Sequence, residues 1–342
     1  LCKFFNTRLV RNPDVEAWIV RIFNKLGRPM LEVNRSQADL PEACTVIPNK
    51  KGTAAGMWFE RDGRVFVSMP GVPYEMKAMM LDDILPKAVA LFKPPTIIHR
   101  TILTTGLGES HLAQRIEAWE VSLPEEGIRL AYLPSPGMVR LRLSTYAGAS
   151  AEEARARVDR KAAALYALIP DLIFGEGEHR LEDIVGGLLK ERGQTLSIAE
   201  SCSGGYISHR ITSVPGSSAY FTGGVVSYAN AVKMEELGIP SDMLELNGAV
   251  SQPVAEKMAA GVREALRTDW SIAVTGIAGP EGGTPDKPVG TVWLAVAGPD
   301  GVSSRMEIFP GTRDLVIHRS AIAGMNMLRK RMLKEGKMGD GA

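Results

Sequence analysis

Ser197-Ile198-Ala199-Glu200-Ser201-Cys202-Ser203-Gly204-Gly205 reads as an apolar strand that enters a tight, glycine-containing turn and then opens a helix. Such a junction offers free backbone N–H groups. The first four amides of a helix lack partners within it and lie at the positive end of its dipole, so they can stabilise an oxyanion or a phosphate. Ser201 is presented at the strand end as a candidate nucleophile, while a plainer reading makes Ser201 or Ser203 an N-cap. Cys202 is a rival nucleophile, because a thiol near a helix start can be activated, although buried cysteines acting as small apolar residues are commoner.

Outward from this junction, strands and helices alternate. Leu181, Ile184, Val185, Leu188 and Leu189 follow the spacing of an amphipathic helix that ends near Gly193, and Thr195–Ala199 is the strand before the turn. Downstream the pattern predicts strands at Gly224–Tyr228, Trp270–Val274, Thr291–Ala297 and near 305–309, with helices over Ser251–Leu266 and from Arg313 to about Leu333. That alternation indicates an α/β sandwich over residues 181–335. Upstream, Phe174-Gly175-Glu176-Gly177-Glu178 is a break rich in glycine and charge. Before it, residues 97–174 read as strand His99–Leu103, a helix near Ser110–Trp119, strands around Leu130–Leu133 and Val139–Thr145, and a long helix Ala151–Leu168. Lys93-Pro94-Pro95 is a linker, since two prolines fix an extended backbone. Ahead of it lie a helix over 14–26, a strand Arg64–Met69 and a helix from Tyr74. The fold class is α/β and multi-domain.

Length agrees, because 342 residues at roughly 150 per domain give two or three domains. Forty Lys and Arg against 39 Asp and Glu leave a net charge of +1, so no global field holds nucleic acid or an anionic membrane surface. Cys2, Cys44 and Cys202 are far apart and form no C-x-x-C pair, which excludes a disulfide scaffold and a cysteine zinc site. No run of about 18 apolar residues occurs and no signal peptide is recognisable, so the expected location is cytoplasmic and the expected partners exclude a membrane.

A serine nucleophile needs a base. His99, His111, His179, His209 and His318 are scattered and form no metal-binding pattern, so metal-free chemistry is favoured. His209 follows Ser201 by about two turns of helix and is a weak candidate. Ser227-Tyr228-Ala229-Asn230-Ala231-Val232-Lys233 is the better one: with Asn230 as a helix cap, Lys233 falls in the first turn, where the dipole and partial burial lower its pKa. A neutral amine there can serve as general base, as serine–lysine hydrolases require, and Tyr228 can relay a hydrogen bond between the two. The alternative is a solvated surface lysine. The Gly/Pro loop from Thr275 to Gly290, with Gly276, Gly279, Gly282 and Gly283, offers amides to an anionic or ribosyl group, Lys287 adding charge, or else is a turn-rich connector. Arg313 is a candidate phosphate or carboxylate clamp, or an exposed helix-start arginine.

Together, Ala199-Glu200-Ser201-Cys202-Ser203-Gly204-Gly205, Ser227-Tyr228 with Lys233, Gly248-Ala249-Val250-Ser251, Gly276-Ile277-Ala278-Gly279-Pro280-Glu281-Gly282-Gly283 and Lys287-Pro288-Val289-Gly290-Thr291-Val292 resemble the carboxy-terminal domain of the CinA family. That domain is similar to nicotinamide mononucleotide deamidases. Asn34-Arg35-Ser36-Gln37-Ala38, Pro48-Asn49-Lys50-Lys51-Gly52-Thr53-Ala54-Ala55-Gly56 and Pro70-Gly71-Val72-Pro73-Tyr74-Glu75-Met76 resemble the second half of the family's molybdopterin-binding-like amino-terminal domain. Residues 97–175 are similar to its small KH-like α+β middle domain. The resemblance thus implies a partial α/β domain over 1–94, a KH-like domain over 97–175 and an α/β sandwich with amidohydrolase chemistry over 181–335.

Position by position, the resemblance implies Ser201 as nucleophile, Lys233 as base and Tyr228 as assistant, with Ser203, Gly204, Gly205, Gly276, Gly279, Gly282, Gly283 and Arg313 near a nicotinamide nucleotide substrate. Backbone amides around Ser203–Gly205 are the expected oxyanion donors. Ser203 stands where the family usually has threonine, and Ala55 where it often has proline. No cofactor is implied for the deamidation. A divalent metal is implied only by a complete amino-terminal ADP-ribose pyrophosphatase site, whose Gly-Gly-x-Gly-Pro-Thr stretch this sequence lacks. On a chain that starts at Leu1, that activity is expected to be absent and the first domain to lack its opening strands. The other alternative is a non-catalytic nucleotide- or nucleic-acid-binding protein. Nucleic acid is disfavoured, because the segment comparable to a KH G-x-x-G loop, Thr105-Gly106-Leu107-Gly108-Glu109, puts an acid where phosphate would approach. The composition leaves room for a homo-oligomer.

Overall fold

The structure, a computed structural model, describes residues 1–148 and 150–339. The chain divides into two compact units at Pro95/Thr96. In the first, Asn12 caps the helix Pro13–Lys25 by accepting from the Asp14 and Val15 amides, and the helix buries Val15 and Ile19 against Ala38 and Leu40. A three-stranded antiparallel sheet, Thr45–Ile47, Gly56–Arg61 and Arg64–Ser68, packs Ile47 and Trp58 on Met79 and Ile84 of the helical segment that follows.

The second unit contains two sheets. One is a four-stranded antiparallel sheet in the order Arg129–Ser135, Met138–Tyr146, Ile97–Thr105, Ile173–Glu176, with helices Glu109–Val121 and Ala151–Leu168 between its strands in sequence. This β-α-β-β-α-β succession is an α+β unit. Its last strand corrects the sequence reading: Phe174–Glu176 belongs to the sheet, paired with Ile102 and Leu103, and the break lies after it. Phe174 and Leu103 also share one hydrophobic core with Leu181, Val185 and Ile198, so this sheet and the next are joined by common packing.

The second sheet has the order Phe221–Val226, Leu196–Glu200, Trp270–Gly276, Thr291–Gly298, Gly301–Ile308. Its first three strands are parallel and its last two antiparallel. Side-chain alternation explains the layers. Leu196, Ile198, Ile272, Leu294 and Val296 meet the helices Leu181–Arg192 and Arg313–Gly339 on one face. Ala199, Ala273, Ala295 and Ala297 face Gln252–Leu266 on the other, where small residues let the helix sit close. Gly261 continues this closeness: a Cβ there would collide with the Leu237 carbonyl of the helix Asn230–Leu237. The result is a three-layer α/β sandwich.

Several boundaries move relative to the sequence reading, two of them next to the serine turn and its neighbouring strand. The edge strand ends at Val226 and leaves Tyr228 in the following loop, and the helix after the serine turn begins only at Tyr206. No described helix is long and apolar enough to cross a membrane.

Candidate active site

Three neighbouring parallel strands end at one edge of the sandwich, and the loops leaving their carboxyl ends carry Ser201, Tyr228 and the segment beginning at Gly276. Carboxyl ends of parallel strands are where α/β folds gather ligand-binding groups. Ser201 is held by its own amide, which donates to the Val274 carbonyl at 2.9 Å.

The turn is organised by a residue that sequence reasoning passed over. Glu200 is fully buried, and its carboxylate accepts from the amides of Gly205 (3.1 Å), Ile207 (3.0 Å) and Ser208 (2.9 Å) and from the Ser208 hydroxyl (2.7 Å). It caps the helix Tyr206–Thr212 from the preceding strand, whereas neither Ser201 nor Ser203 is the N-cap: that position is Gly205, at φ 96°. The signal in the sequence is a lone carboxylate closing an otherwise apolar strand, which in a buried position demands several donors. Gly224 leaves the room for this clasp, since a Cβ there would lie 2.8 Å from the Ser208 hydroxyl.

The expected oxyanion donors shift accordingly. The Gly205 amide is taken by Glu200 and the Gly204 amide by the Ser201 carbonyl. The amides of Cys202 and Ser203 have no backbone carbonyl or carboxylate partner among the described residues. Burial pushes the Cys202 thiol up to about 12, so it stays protonated and is a poor nucleophile.

Lys233 is 1% exposed and donates to the Ser201 hydroxyl at 3.2 Å and to the carbonyls of Ser227 (2.5 Å) and Tyr228 (3.5 Å). Among the described residues no carboxylate partners it, and desolvation holds its ammonium below the ordinary lysine value. The solvated alternative is therefore overturned. Asn230, by contrast, is not the cap: Ala229 is, without a side-chain bond, so Lys233 is placed by packing of its helix on Gly261. Ser227, also fully buried, ties the lysine to the serine strand through its amide, which donates to the Glu200 carbonyl at 2.8 Å.

Tyr228 does not bridge Ser201 and Lys233 through its hydroxyl. It is 62% exposed, and its hydroxyl accepts from Arg313 at 3.0 Å, while Arg313 also donates to the Gly279 carbonyl at 2.8 Å. Arg313 thus ties the tyrosine loop to the Gly/Pro loop. Lys287 is likewise engaged, donating to the Asn247 and Val250 carbonyls at 3.1 and 2.8 Å. Gly276 and Gly283 are required by tight packing on Val292 and the Val289 amide, and Gly279 and Gly282 by positive φ. His209 is exposed on the helix Tyr206–Thr212 and forms no hydrogen bond with Ser201. Among the described residues no three His, Cys, Asp or Glu side chains converge.

Fold and geometry define a multi-domain α/β protein with a serine at a strand-to-helix turn and a buried lysine beside it. The chain belongs to the CinA family. Residues 178–332 match the CinA C-terminal domain and residues 99–175 the KH domain of damage-inducible protein CinA. It is 44% identical over 336 residues to a CinA-like protein of Flavobacterium psychrophilum and 42% identical over 337 residues to one of Cytophaga hutchinsonii, covering in each case 98% of this chain and 80% of the relative. A crystal structure of a competence/damage inducible protein from Agrobacterium tumefaciens is 36% identical and covers 44% of this chain and 92% of that one, with a TM-score of 0.43.

Proposed function

We propose that this protein is a nicotinamide mononucleotide deamidase working through a Ser/Lys acyl-enzyme. The observation that carries the reading is the 3.2 Å contact between Lys233 Nζ and Ser201 Oγ, with Lys233 buried and, among the described residues, without a carboxylate partner. A neutral Lys233 accepts the Ser201 proton as Oγ bonds to the amide carbon. The amides of Cys202 and Ser203, left without a backbone partner, are assigned here to the oxyanion, in a turn held by the Glu200 clasp on the Gly205 and Ile207 amides. The tetrahedral species then collapses: the C–N bond breaks, Lys233 returns the proton to nitrogen, and ammonia departs. Water, giving a proton to the same lysine, cleaves the ester to nicotinate mononucleotide and regenerates Ser201. Tyr228 and Arg313, joined at 3.0 Å, are assigned to the substrate.

The test is ammonia release from nicotinamide mononucleotide by the folded chain without added metal, beside Ser201→Ala and Lys233→Met. Turnover lost in both variants is the expected result. A folded wild-type chain that releases no ammonia would sink the reading.

A further inference from the structure

Away from the serine turn, a cleft of about 740 Å3 opens between the four-stranded sheet and the helix Arg313–Gly339. Its lining combines residues 106–109 and the turn at Gly137 with Phe309, Arg319, Ile322 and Asn326. The turn packs directly on the helix, since a Cβ at Gly137 would lie 3.2 Å from Ile322. None of Ser201, Tyr228, Lys233 and Arg313 lines the cleft, and Asn326 follows Arg313 by 13 residues, about 20 Å of helix. The cleft is therefore separate from the amidase site.

Three features point to an anion. Asn326, on the lining, is 2% exposed, and its Oδ1 accepts from the Arg329 guanidinium at 3.0 Å. A guanidinium only donates, so this bond fixes which end of the amide is which: Nδ2 is the other end, and it has no acceptor among the described residues. The charge behind it is uncompensated. Arg329 is 5% exposed, donates besides to the Ile173 carbonyl at 3.1 Å, and meets no carboxylate among the described residues, so the amide passes a buried positive charge on to whatever Nδ2 meets. The second feature is Arg319, which donates to the Pro310 carbonyl and likewise pairs with no carboxylate among the described residues. The third is the 13-residue helix Glu109–Val121, which opens at Gly108 without a side-chain cap and so leaves its first amides for an anion. Of the two carboxylates on the lining, Glu307 is engaged with Arg305 at 3.3 Å and Glu109 is exposed.

A bare oxyanion fills little of such a cleft, and Leu107, Met138, Phe309 and Ile322 add apolar surface of the kind that receives a planar ring. We propose that this cleft is a second ligand site of the protein, one that takes a nucleoside monophosphate. Asn326 Nδ2, Arg319 and the free helix amides receive the phosphate oxygens, and the apolar lining receives the base. The proposal draws nothing from the amidase reading.

The experiment is calorimetric titration of the full chain with AMP, adenosine and inorganic phosphate, in wild type, Asn326→Asp and Arg319→Gln. Wild type should bind AMP at least about tenfold more tightly than either adenosine or phosphate alone. Asn326→Asp keeps an acceptor for Arg329 but replaces the NH2 donor by a carboxylate oxygen, so it should weaken AMP about tenfold or more and leave adenosine unchanged. Arg319 is only partly buried, so Arg319→Gln carries the same expectation should Asn326→Asp disturb folding. AMP that fails to bind, that binds no better than adenosine or phosphate, or that keeps its wild-type affinity in a folded variant overturns the proposal. Ammonia release is not read in this experiment, so a failed amidase reading leaves its outcome intact.

Discussion

Lys233 meets Ser201 with a carbonyl, not a carboxylate, as its strongest partner, at 2.5 Å from the Ser227 oxygen. A buried ammonium so placed gains little Coulomb energy against its desolvation cost, and its proton is correspondingly easy to lose. On the proposed mechanism the neutral amine is the active form. The acid limb of the kcat/KM profile should therefore rise with a midpoint below the ordinary 10.5 of lysine, and a midpoint at or above that value would remove Lys233 as the base. Linkage gives the same sign for stability. Where the folded form has lost the proton and the unfolded form still holds it, stability increases with pH, and the increase ends above 10.5. Urea titrations across that window should show this slope in wild type and a smaller one in Lys233→Met. Cys202 supplies the contrast one residue from the nucleophile. With its thiol pushed up to about 12, iodoacetamide at pH 8 should leave the native chain unlabelled at this position, and Cys202→Ala should keep activity within about threefold, a change of less than 1 kcal/mol in barrier. Rapid labelling with parallel loss of turnover would return the thiol to the mechanism.

At the scale of elements, the site depends on two joints. The first is the Glu200 clasp, where one carboxylate satisfies three amides and a hydroxyl at the start of a seven-residue helix. Glu200→Gln substitutes an NH2 for one acceptor oxygen and should cost about 2–3 kcal/mol, measured by urea denaturation. A cost near zero would mean that the helix start is held by packing alone. The second joint is the contact of Gly261 with the Leu237 backbone. Gly261→Ala must push the helix carrying Lys233 outward, so kcat should fall at least tenfold (about 1.4 kcal/mol), more than KM changes. These joints also show what was legible beforehand. The strand, the glycine turn and the helix bearing Lys233 follow from local chemistry and periodicity, which a sequence displays. The capping role of Glu200, the engagement of Lys287 with Asn247 and Val250, and the pairing of Tyr228 with Arg313 do not: each joins residues whose proximity exists only after the strands have aligned. Asn230 illustrates the same limit. Its residue type favours a cap, but helix packing sets the first turn one residue earlier, at Ala229.

The whole molecule divides unequally. Residues 91–97 are exposed and contain Pro94-Pro95, whereas the strand Ile173–Glu176 lies beneath shared packing: Phe174 and Leu103 belong to the core of Leu181, Ile198 and Met325, and the Arg329 guanidinium donates to the Ile173 carbonyl at 3.1 Å. Composition could announce both breaks in the chain, through prolines at one and glycines with charge at the other, but it could not tell an extended linker from a strand that closes a sheet. That difference is testable. Limited proteolysis should cut first near residues 91–96, where exposed backbone is accessible, and a chain beginning at Thr96 should keep the ammonia release of the full protein. A chain beginning near Gly177 should behave differently. It loses Phe174 and Leu103 from the core and leaves Arg329, 5% exposed, without its Ile173 carbonyl acceptor, so its unfolding midpoint should fall by several degrees or more. An unchanged midpoint would show that the α/β sandwich is self-sufficient and that the four-stranded sheet contributes nothing to its stability.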